Sequence, residues 1–357
     1  MRIVLLGGTG AIGQHLSKIL QDNGHEVFVT SRSAHHSDGG VRYMVGDAHD
    51  LLFLEKILIQ KFDVIVDFMV YRTNEFEKRV ERFLESAKQY VFMSSARVYD
   101  NNSLPLKECS PKLLDNCRNW QYLSTDEYAL AKARQERVLE NSKRKNWTII
   151  RPYISYAENR LQLGVLEKEE WLWRALCGRT IVFSQDIASK LTTLTYGKDV
   201  AQAIANVVGR TDAMSTSFHI AQNESIQWLQ LLDIYLNILE KKLGYRPKVL
   251  ITEKSTNSFN KYRKWQVLKD RIYNRRFDSK KILTFSQNLE FLHTEEGLTL
   301  CLNKFLMSPK FKQINLKQEA LFDKLTHECA NSSDFDDFYS YGKYLIYRYL
   351  LPQRILY

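Results

Sequence analysis

A chain of 357 residues, 44% hydrophobic and 26% charged, is long enough to fill one large core or two coupled ones. Its net charge of +10 favours anionic partners such as phosphates, nucleotides, nucleic acid or an acidic membrane surface, without choosing among them. Five scattered cysteines with no C-x-x-C read most simply as a reduced, cytoplasmic protein, and no apolar run approaches the ~20 residues of a membrane span.

"RIVLLGG", directly after Met1, is a short apolar run that reads as a buried strand; with no separate basic segment or cleavage site beside it, no signal peptide is expected. "AIGQHLSKILQDNG" follows with helical periodicity. Ile12, Leu16, Ile19 and Leu20 share a face, and Gly24 stands where the helix would end. Further strands are expected at "HEVFVTSR", just before "VGDAHD", and at "DVIVDFMV" (63–70), "YVFMSS" (90–95) and "WTIIRP" (147–152), with a helical stretch at 75–88. This alternation predicts an α/β fold, a Rossmann-type doubly wound parallel sheet covered on both faces. After Pro152 the pattern loosens. Helices near 165–177, 199–209 and 227–243 are separated by short strand-like pieces, "TIVF" and "SFHIA", which suggests a smaller mixed α/β lobe. Beyond residue 306 come a polar helical segment and an aromatic-rich end.

"GGTGAIG" sets Gly7, Gly10 and Gly13 between the first strand and the first helix. Glycine there permits a tight turn and close backbone approach to a pyrophosphate, which the helix N-terminus then favours electrostatically. The second strand ends in Ser31 and Arg32, where many NAD-binding sheets carry an acid for the ribose 2′-hydroxyl. An arginine pairs instead with a 2′-phosphate, so NADP(H) is favoured and NAD(H) is the alternative. Asp47 is either an adenine contact or a helix cap.

"STDEYALAKARQE" holds Tyr128 and Lys132 four residues apart, one turn along a helix. Ser124 and Glu127 fit a capping box that would start this helix near Thr125. Tyr339 and Lys343 repeat the spacing without the same surroundings and read as structural. Tyr128, by contrast, follows the glycine loop and "FMSSARVY", and precedes "IIRPYISYA". This ordered set, over roughly residues 1–305, resembles the extended short-chain dehydrogenase/reductases of the NAD(P)-dependent epimerase/dehydratase family, which act mostly on nucleotide sugars.

The resemblance implies an NAD(P)-binding domain at 1–152 that carries the catalytic residues. It implies a mainly substrate-binding lobe at 153–305, some of whose segments return to the sheet, and leaves 306–357 as a helical extension. Tyr128 would be the general acid or base, Lys132 would stabilise its phenolate and hold the nicotinamide ribose, and Ser95 rather than Ser94 would orient the substrate oxygen. Cofactor contacts are expected from Gly7, Thr9, Gly10, Ala11, Ile12, Gly13, Ser31, Arg32, Asp47, Phe68, Met69, Lys132 and Tyr153. The 4,6-dehydratases of the family carry an Asp-Glu pair where this chain has Ala96 and Arg97, so dehydration is disfavoured. Reduction of a keto sugar, at C4, is preferred to epimerisation with a retained cofactor. Where many relatives grip a diphosphate with arginine, this chain has Thr192. Arg160, Lys269 and Arg271 are the alternative phosphate ligands, each with an ordinary solvated role as its competitor.

A rival reading is an RNA-binding or regulatory member without turnover. "KYRKWQVLKDRIYNRRF" interleaves cations with Tyr262, Trp265, Tyr273 and Phe277, as nucleic-acid surfaces do. His35 and His36 lack neighbours at ligand spacing, so no metal is expected. A homodimer through the Tyr128 helix is what the family resemblance suggests. The terminal "YGKYLIYRYLLPQRILY" places Tyr344, Ile346, Leu350 and Leu351 in a helical stretch ended by Pro352. Packing on the lobe or a subunit interface is expected. The alternative is a peripheral contact with an anionic membrane through Lys343, Arg348 and Arg354.

Overall fold

The computed structural model describes residues 1–35, 40–255, 263–286 and 289–351, in two compact units. The first comprises Met1–Ala157, Thr193–Glu224 and Arg276–Thr294. Its centre is a seven-stranded sheet, parallel throughout. β1 (Arg2–Leu6), β2 (Glu26–Ser31), β3 (Val41–Val45), β4 (Phe62–Asp67), β5 (Ala87–Met93) and β6 (Trp147–Pro152) are joined by the edge strand Thr216–Ile220. The order is Thr216–Ile220, β6, β5, β4, β1, β2, β3. Chain order therefore reverses between β1 and β4, and ligands of open α/β sheets bind outside the carboxyl ends of the strands at such a point.

β1 reads as an unbroken apolar run because both of its faces are covered. Ile3 and Leu5 pack with Leu16 and Leu20 of α1 (Gly13–Asp22) and with Val200 and Ile204. Val4 and Leu6 point the other way, towards Leu54 and Ile57 of α2 (Leu51–Leu58) and Phe83. Gly24 ends the α1 segment in a left-handed turn with φ 78°.

One expectation is corrected. The stretch 75–88 is two short helices, Thr73–Glu77 and Val80–Ser86, and β5 already begins at Ala87. The Arg79 guanidinium at the break donates to the carbonyls of Glu75 and His49, both at 2.7 Å. The "SFHIA" segment belongs to the large sheet, where Thr216–Ile220 pairs with β6.

The second unit comprises Glu158–Thr192, Ser225–Arg275 and Glu295–Tyr357. It holds two strand pairs, Ile181–Ser184 with Val249–Thr252 and Leu191–Thr192 with Ile226–Gln227, and the long helix Trp228–Leu243. Buried Arg174 and Arg179 pair with Glu319 and Asp323 of the helix Leu316–Thr326, which builds the C-terminal region into this unit.

Candidate active site

The glycine loop leads from β1 into α1. Gly7 has φ +70°, a left-handed conformation, and a Cβ there would stand 2.8 Å from Met69 Sδ. A Cβ on Gly13 would strike the Gly8 carbonyl oxygen at 2.4 Å, so glycine lets α1 lie directly on the loop. Gly10 differs: a Cβ there meets nothing within 4 Å among the described residues. The loop thus has a turn glycine, a packing glycine and, between them, a bare backbone facing open space. That is the arrangement a pyrophosphate needs for close approach. α1 starts at an Ile12 cap without a side-chain hydrogen bond, and its first turn carries no acid. Its positive end is therefore left for an anion. The residues fit a dinucleotide.

A cleft of about 300 Å³ lies at the carboxyl ends of β1 to β4. It is lined by Gly7 and Thr9, by Thr30, Ser31 and Arg32, by Gly46, Asp47, Ala48 and His49, and by Phe68, Met69 and Val70. Seven of the expected cofactor residues line it. Arg32 is exposed at the end of β2. The Ser31 hydroxyl lies 2.9 Å from His35 Nε2. Thr30, missed in the sequence, accepts the Gly7 N–H at 2.8 Å and so holds the glycine turn against β2. Asp47 accepts from His49 N at 2.9 Å in a local turn, while the cap of α2 is Asp50, which accepts from Leu52 N and Phe53 N. Gly197 was missed too. A Cβ there would lie 2.3 Å from the Ala11 carbonyl oxygen, so the helix Gly197–Ala205 abuts the glycine loop.

Lys132 is 2% exposed, and its ammonium donates to the Met69 carbonyl at 3.3 Å. It also lies 4.5 Å from the Phe92 ring centroid. Burial pulls its pKa down to about 8, against the opposing pull of Asp67 and Glu136. Asp67, buried at the end of β4, accepts from Tyr90 Oη at 2.7 Å and Met69 N at 2.9 Å; burial nonetheless raises its pKa. Tyr128 stands one turn before Lys132, half-buried, with the Arg97 guanidinium 5.3 Å from its ring centroid. Arg97 in turn pairs with Glu127 at 2.5 Å.

The expected capping box is absent. The helix runs Tyr128–Asn141 and Glu127 itself caps it, accepting from Ala129 N at 2.9 Å. Ser124 terminates the preceding short helix Trp120–Leu123 and donates to Gln121 O. The helix thus starts three residues later than the spacing predicts.

The two serines after β5 have different surroundings. Ser94 donates to Glu136 at 2.5 Å, and Glu136 receives a two-pronged ion pair from Arg151, both contacts at 2.8 Å. Arg151 also donates to Tyr99 Oη at 3.0 Å. This network is buried, and Lys112 reaches Glu136 at 2.9 Å. Burial favours the neutral carboxyl of Glu136, but Arg151 outweighs it and keeps the pKa below the ordinary value. Ser95 Oγ accepts from Arg97 N at 3.2 Å in the turn Ala96–Val98.

Tyr153 is buried with its ring 5.1 Å from that of Phe277. In the second unit, Arg160 pairs with Glu167 at 3.0 Å and Thr192 is fully buried. Lys269 lies in the short helical turn Val267–Arg271. Arg271 is buried, bonded to Asp270 and, at 2.9 Å, to the Gly164 carbonyl. Arg275 also turns inward onto Asp270, at 2.8 Å, and Arg263 pairs with Glu170. The basic–aromatic stretch therefore directs much of its charge into the protein. His36, Tyr262, Pro352 and Arg354 lie outside the described residues. Among the described residues, no group of three or more His, Cys, Asp or Glu could hold a metal ion, and no helix is long and apolar enough to cross a membrane.

The NAD(P)H-binding family model matches residues 7–189. The chain belongs to this family, and its fold is that of solved epimerases. It is similar to the epimerase Mth375 of Methanothermobacter thermautotrophicus, with TM-score 0.68 and 14% identity over 86% of this chain and 92% of that one. It is also similar to the UDP-glucose 4-epimerase of Bifidobacterium longum in complex with NAD+ and UDP, with TM-score 0.64 and 16% identity over 87% and 99%. A curated relative, chloroplast stem-loop binding protein of 41 kDa b from Arabidopsis thaliana, is 30% identical over 238 residues. That match spans 62% of this chain and 58% of the relative's length.

Proposed function

We propose that the chain is an NADP(H)-dependent oxidoreductase that reduces a keto group, at C4, of a nucleotide-linked sugar. The observation that carries this reading is Lys132. Its buried ammonium is bonded to a carbonyl in the wall of the glycine-loop cleft, one helical turn from Tyr128. Gly7, Thr9, Gly10, Ala11, Ile12 and Gly13 would hold the pyrophosphate, and Ser31 and Arg32 the 2′-phosphate. Asp47, Phe68 and Met69 would flank the adenosine half, and Lys132 and Tyr153 the nicotinamide end. The reduced nicotinamide, when bound, supplies the hydride that reaches the carbonyl carbon.

Every other part of the reaction falls to the chain. Tyr128 is the general acid and delivers its phenolic proton to the developing alkoxide oxygen. Lys132, with a pKa of about 8, stays mostly cationic at neutral pH and stabilises the phenolate left behind. Ser95 donates a hydrogen bond to the same oxygen. Ser94 is taken up by Glu136, which supports the preference for Ser95.

Epimerisation with a retained cofactor is the alternative within the class, favoured by the similar solved epimerases. The stem-loop binding relative favours a reading of another class, RNA binding without turnover. One set of measurements separates them. Purified chain is analysed by mass spectrometry for retained nucleotide, then assayed for NADPH oxidation with keto nucleotide sugars and for a salt-dependent shift of stem-loop RNA. NADPH oxidation supports the proposal. Tightly retained NAD+ with interconversion of epimers moves the assignment to an epimerase. An RNA shift at physiological ionic strength, with neither dinucleotide binding nor turnover, overturns it.

A further inference from the structure

One helix of the second unit has two unlike faces. Phe338–Leu345, with its wider continuation Ile346–Leu350, buries Tyr344 and packs Tyr341, Leu345 and Tyr347 around Ala320 and Leu321. On the other side Phe338 is 87% exposed, Tyr339 78%, Ile346 47%, Tyr349 62% and Leu350 73%. Lys343 is the only other exposed residue of this stretch. Positions 339, 343, 346 and 350 recur at three- and four-residue steps, so these side chains form one stripe. Exposed large apolar residues are ordinary when scattered, but a continuous stripe marks a contact surface.

A cleft of about 320 Å³ shares residues with this helix. Its lining includes Gln313, Asn315, Lys317, Lys343 and Tyr347. The Lys317 ammonium lies 5.6 Å from the Tyr347 ring centroid. The half-buried Arg348 donates to the Glu328 carbonyl at 3.1 Å and is close enough to depress the Lys324 pKa, after the larger effect of burial. The stripe is thus bordered by cations. The acids at its start are Asp336 and Asp337, and Asp337 is occupied by the N–H and hydroxyl of Ser340.

We infer that this face docks on the surface of an anionic phospholipid bilayer. The apolar side chains would enter the headgroup–acyl boundary while Lys343 and Lys317 meet lipid phosphates, in the manner of interfacial amphipathic helices. Charge complementarity favours this occupant over a second copy of the chain. Lys343 lies near the middle of the stripe, so a twofold-symmetric pairing of two such stripes brings the two Lys343 ammoniums together. Five side chains also offer on the order of 500 Å², less than the ~800 Å² per partner of a stable interface. The inference is independent of the chemistry proposed for the first unit.

The test is flotation of the full chain at physiological salt with phosphatidylcholine vesicles containing phosphatidylglycerol, and with phosphatidylcholine alone. The wild type is expected to float with the anionic vesicles. Binding should drop about tenfold or more on pure phosphatidylcholine or with Lys343→Glu. The triple change Phe338→Ser, Tyr339→Ser, Leu350→Ser should abolish flotation, and melting should stay unchanged because these are the most exposed side chains of the stripe. If the triple variant misfolds, Lys343→Glu alone decides. The inference fails if the wild type stays at the bottom of the gradient or if the variants float as well as the wild type. It also fails if light scattering finds a dimer that Lys343→Glu leaves intact, or if the stripe binds RNA in place of vesicles.

Discussion

The Lys132 ammonium and the Met69 carbonyl, 3.3 Å apart, join the helix of the Tyr–Lys pair to the end of β4, where the glycine-loop cleft lies. This contact sets a buried cation against the desolvation that opposes it. The sign of its effect on stability can be worked out. Lys132 titrates near 8 in the folded chain, below its ordinary 10.5. Between those values the unfolded chain binds the extra proton, so stability rises with pH across the window, and the cost of the buried charge is fully present below it. Lys132→Met should lack this slope. It should be more stable than the wild type at pH 7, by up to about 3 kcal/mol, and the gap should shrink towards pH 10. Denaturant midpoints at the two pH values measure it. A variant less stable than the wild type at pH 7 contradicts the argument.

Tyr128→Phe removes one oxygen and keeps the ring under the Arg97 guanidinium. Turnover should fall by ~10²-fold or more, the loss expected for a positioned proton-transfer group. Dinucleotide affinity should be retained. Tyr339→Phe, on an exposed ring of the second unit, should change neither. Parallel steady-state and binding measurements on both variants decide whether the repeated spacing is chemical in one place and structural in the other.

Arg32 stands exposed at the mouth of the cleft, and β2 ends without an acid. Arg32→Ala should weaken NADPH by about tenfold or more and NADH little, because only the former carries the extra phosphate. Calorimetry with both cofactors tests it. A wild type that binds NADH more tightly than NADPH reverses the cofactor assignment.

What the sequence made legible was local. The β1 run, the glycine spacing and the Tyr–Lys turn each lie within one or two elements, and each signal acts over a few residues. Glu136 carried no such signal, since its partners Ser94 and Arg151 stand 42 and 15 residues away and meet it only once β5, β6 and the helix are assembled. The strand Thr216–Ile220 was legible as a strand, but its place at the sheet edge depends on non-local pairing with β6. Arg271 looked like a phosphate ligand because composition does not reveal that Asp270 and the Gly164 carbonyl hold it inside. Ser124 and Glu127 matched a capping box by spacing alone. Tertiary and local bonds gave Ser124 to the preceding turn and made Glu127 the cap.

The Glu136–Arg151 pair should show itself in acid. Removing Arg151 strands a buried carboxylate, so Arg151→Met should cost about 3–5 kcal/mol. The folded pKa of Glu136 lies below its ordinary 4.5. The pair's contribution is therefore present above the unfolded value and is lost as pH falls through the folded one. In Arg151→Met the acid-unfolding midpoint should move to higher pH. Glu136→Gln should restore part of the stability when added to Arg151→Met, because the stranded charge is gone. A double variant no better than Arg151→Met shows that packing, not charge, governs this position.

The C-terminal helix should be part of the second unit's stability. The Tyr344 hydroxyl donates to Asp323, itself held by Arg174 and Arg179, and accepts from Ala330 N at 2.9 Å. Tyr344→Phe leaves the ring in place and withdraws both bonds, so a buried N–H and a carboxylate oxygen each lose a partner. The expected cost is about 1–3 kcal/mol. Truncation before Phe338 removes the ring as well and uncovers Ala320 and Leu321, so it should destabilise the chain further. Urea unfolding of the two variants against the wild type gives the order: wild type, Tyr344→Phe, truncation. If the truncated chain unfolds at the wild-type midpoint, the helix contributes nothing to the core it covers, and the buried hydroxyl pairing is not a source of stability.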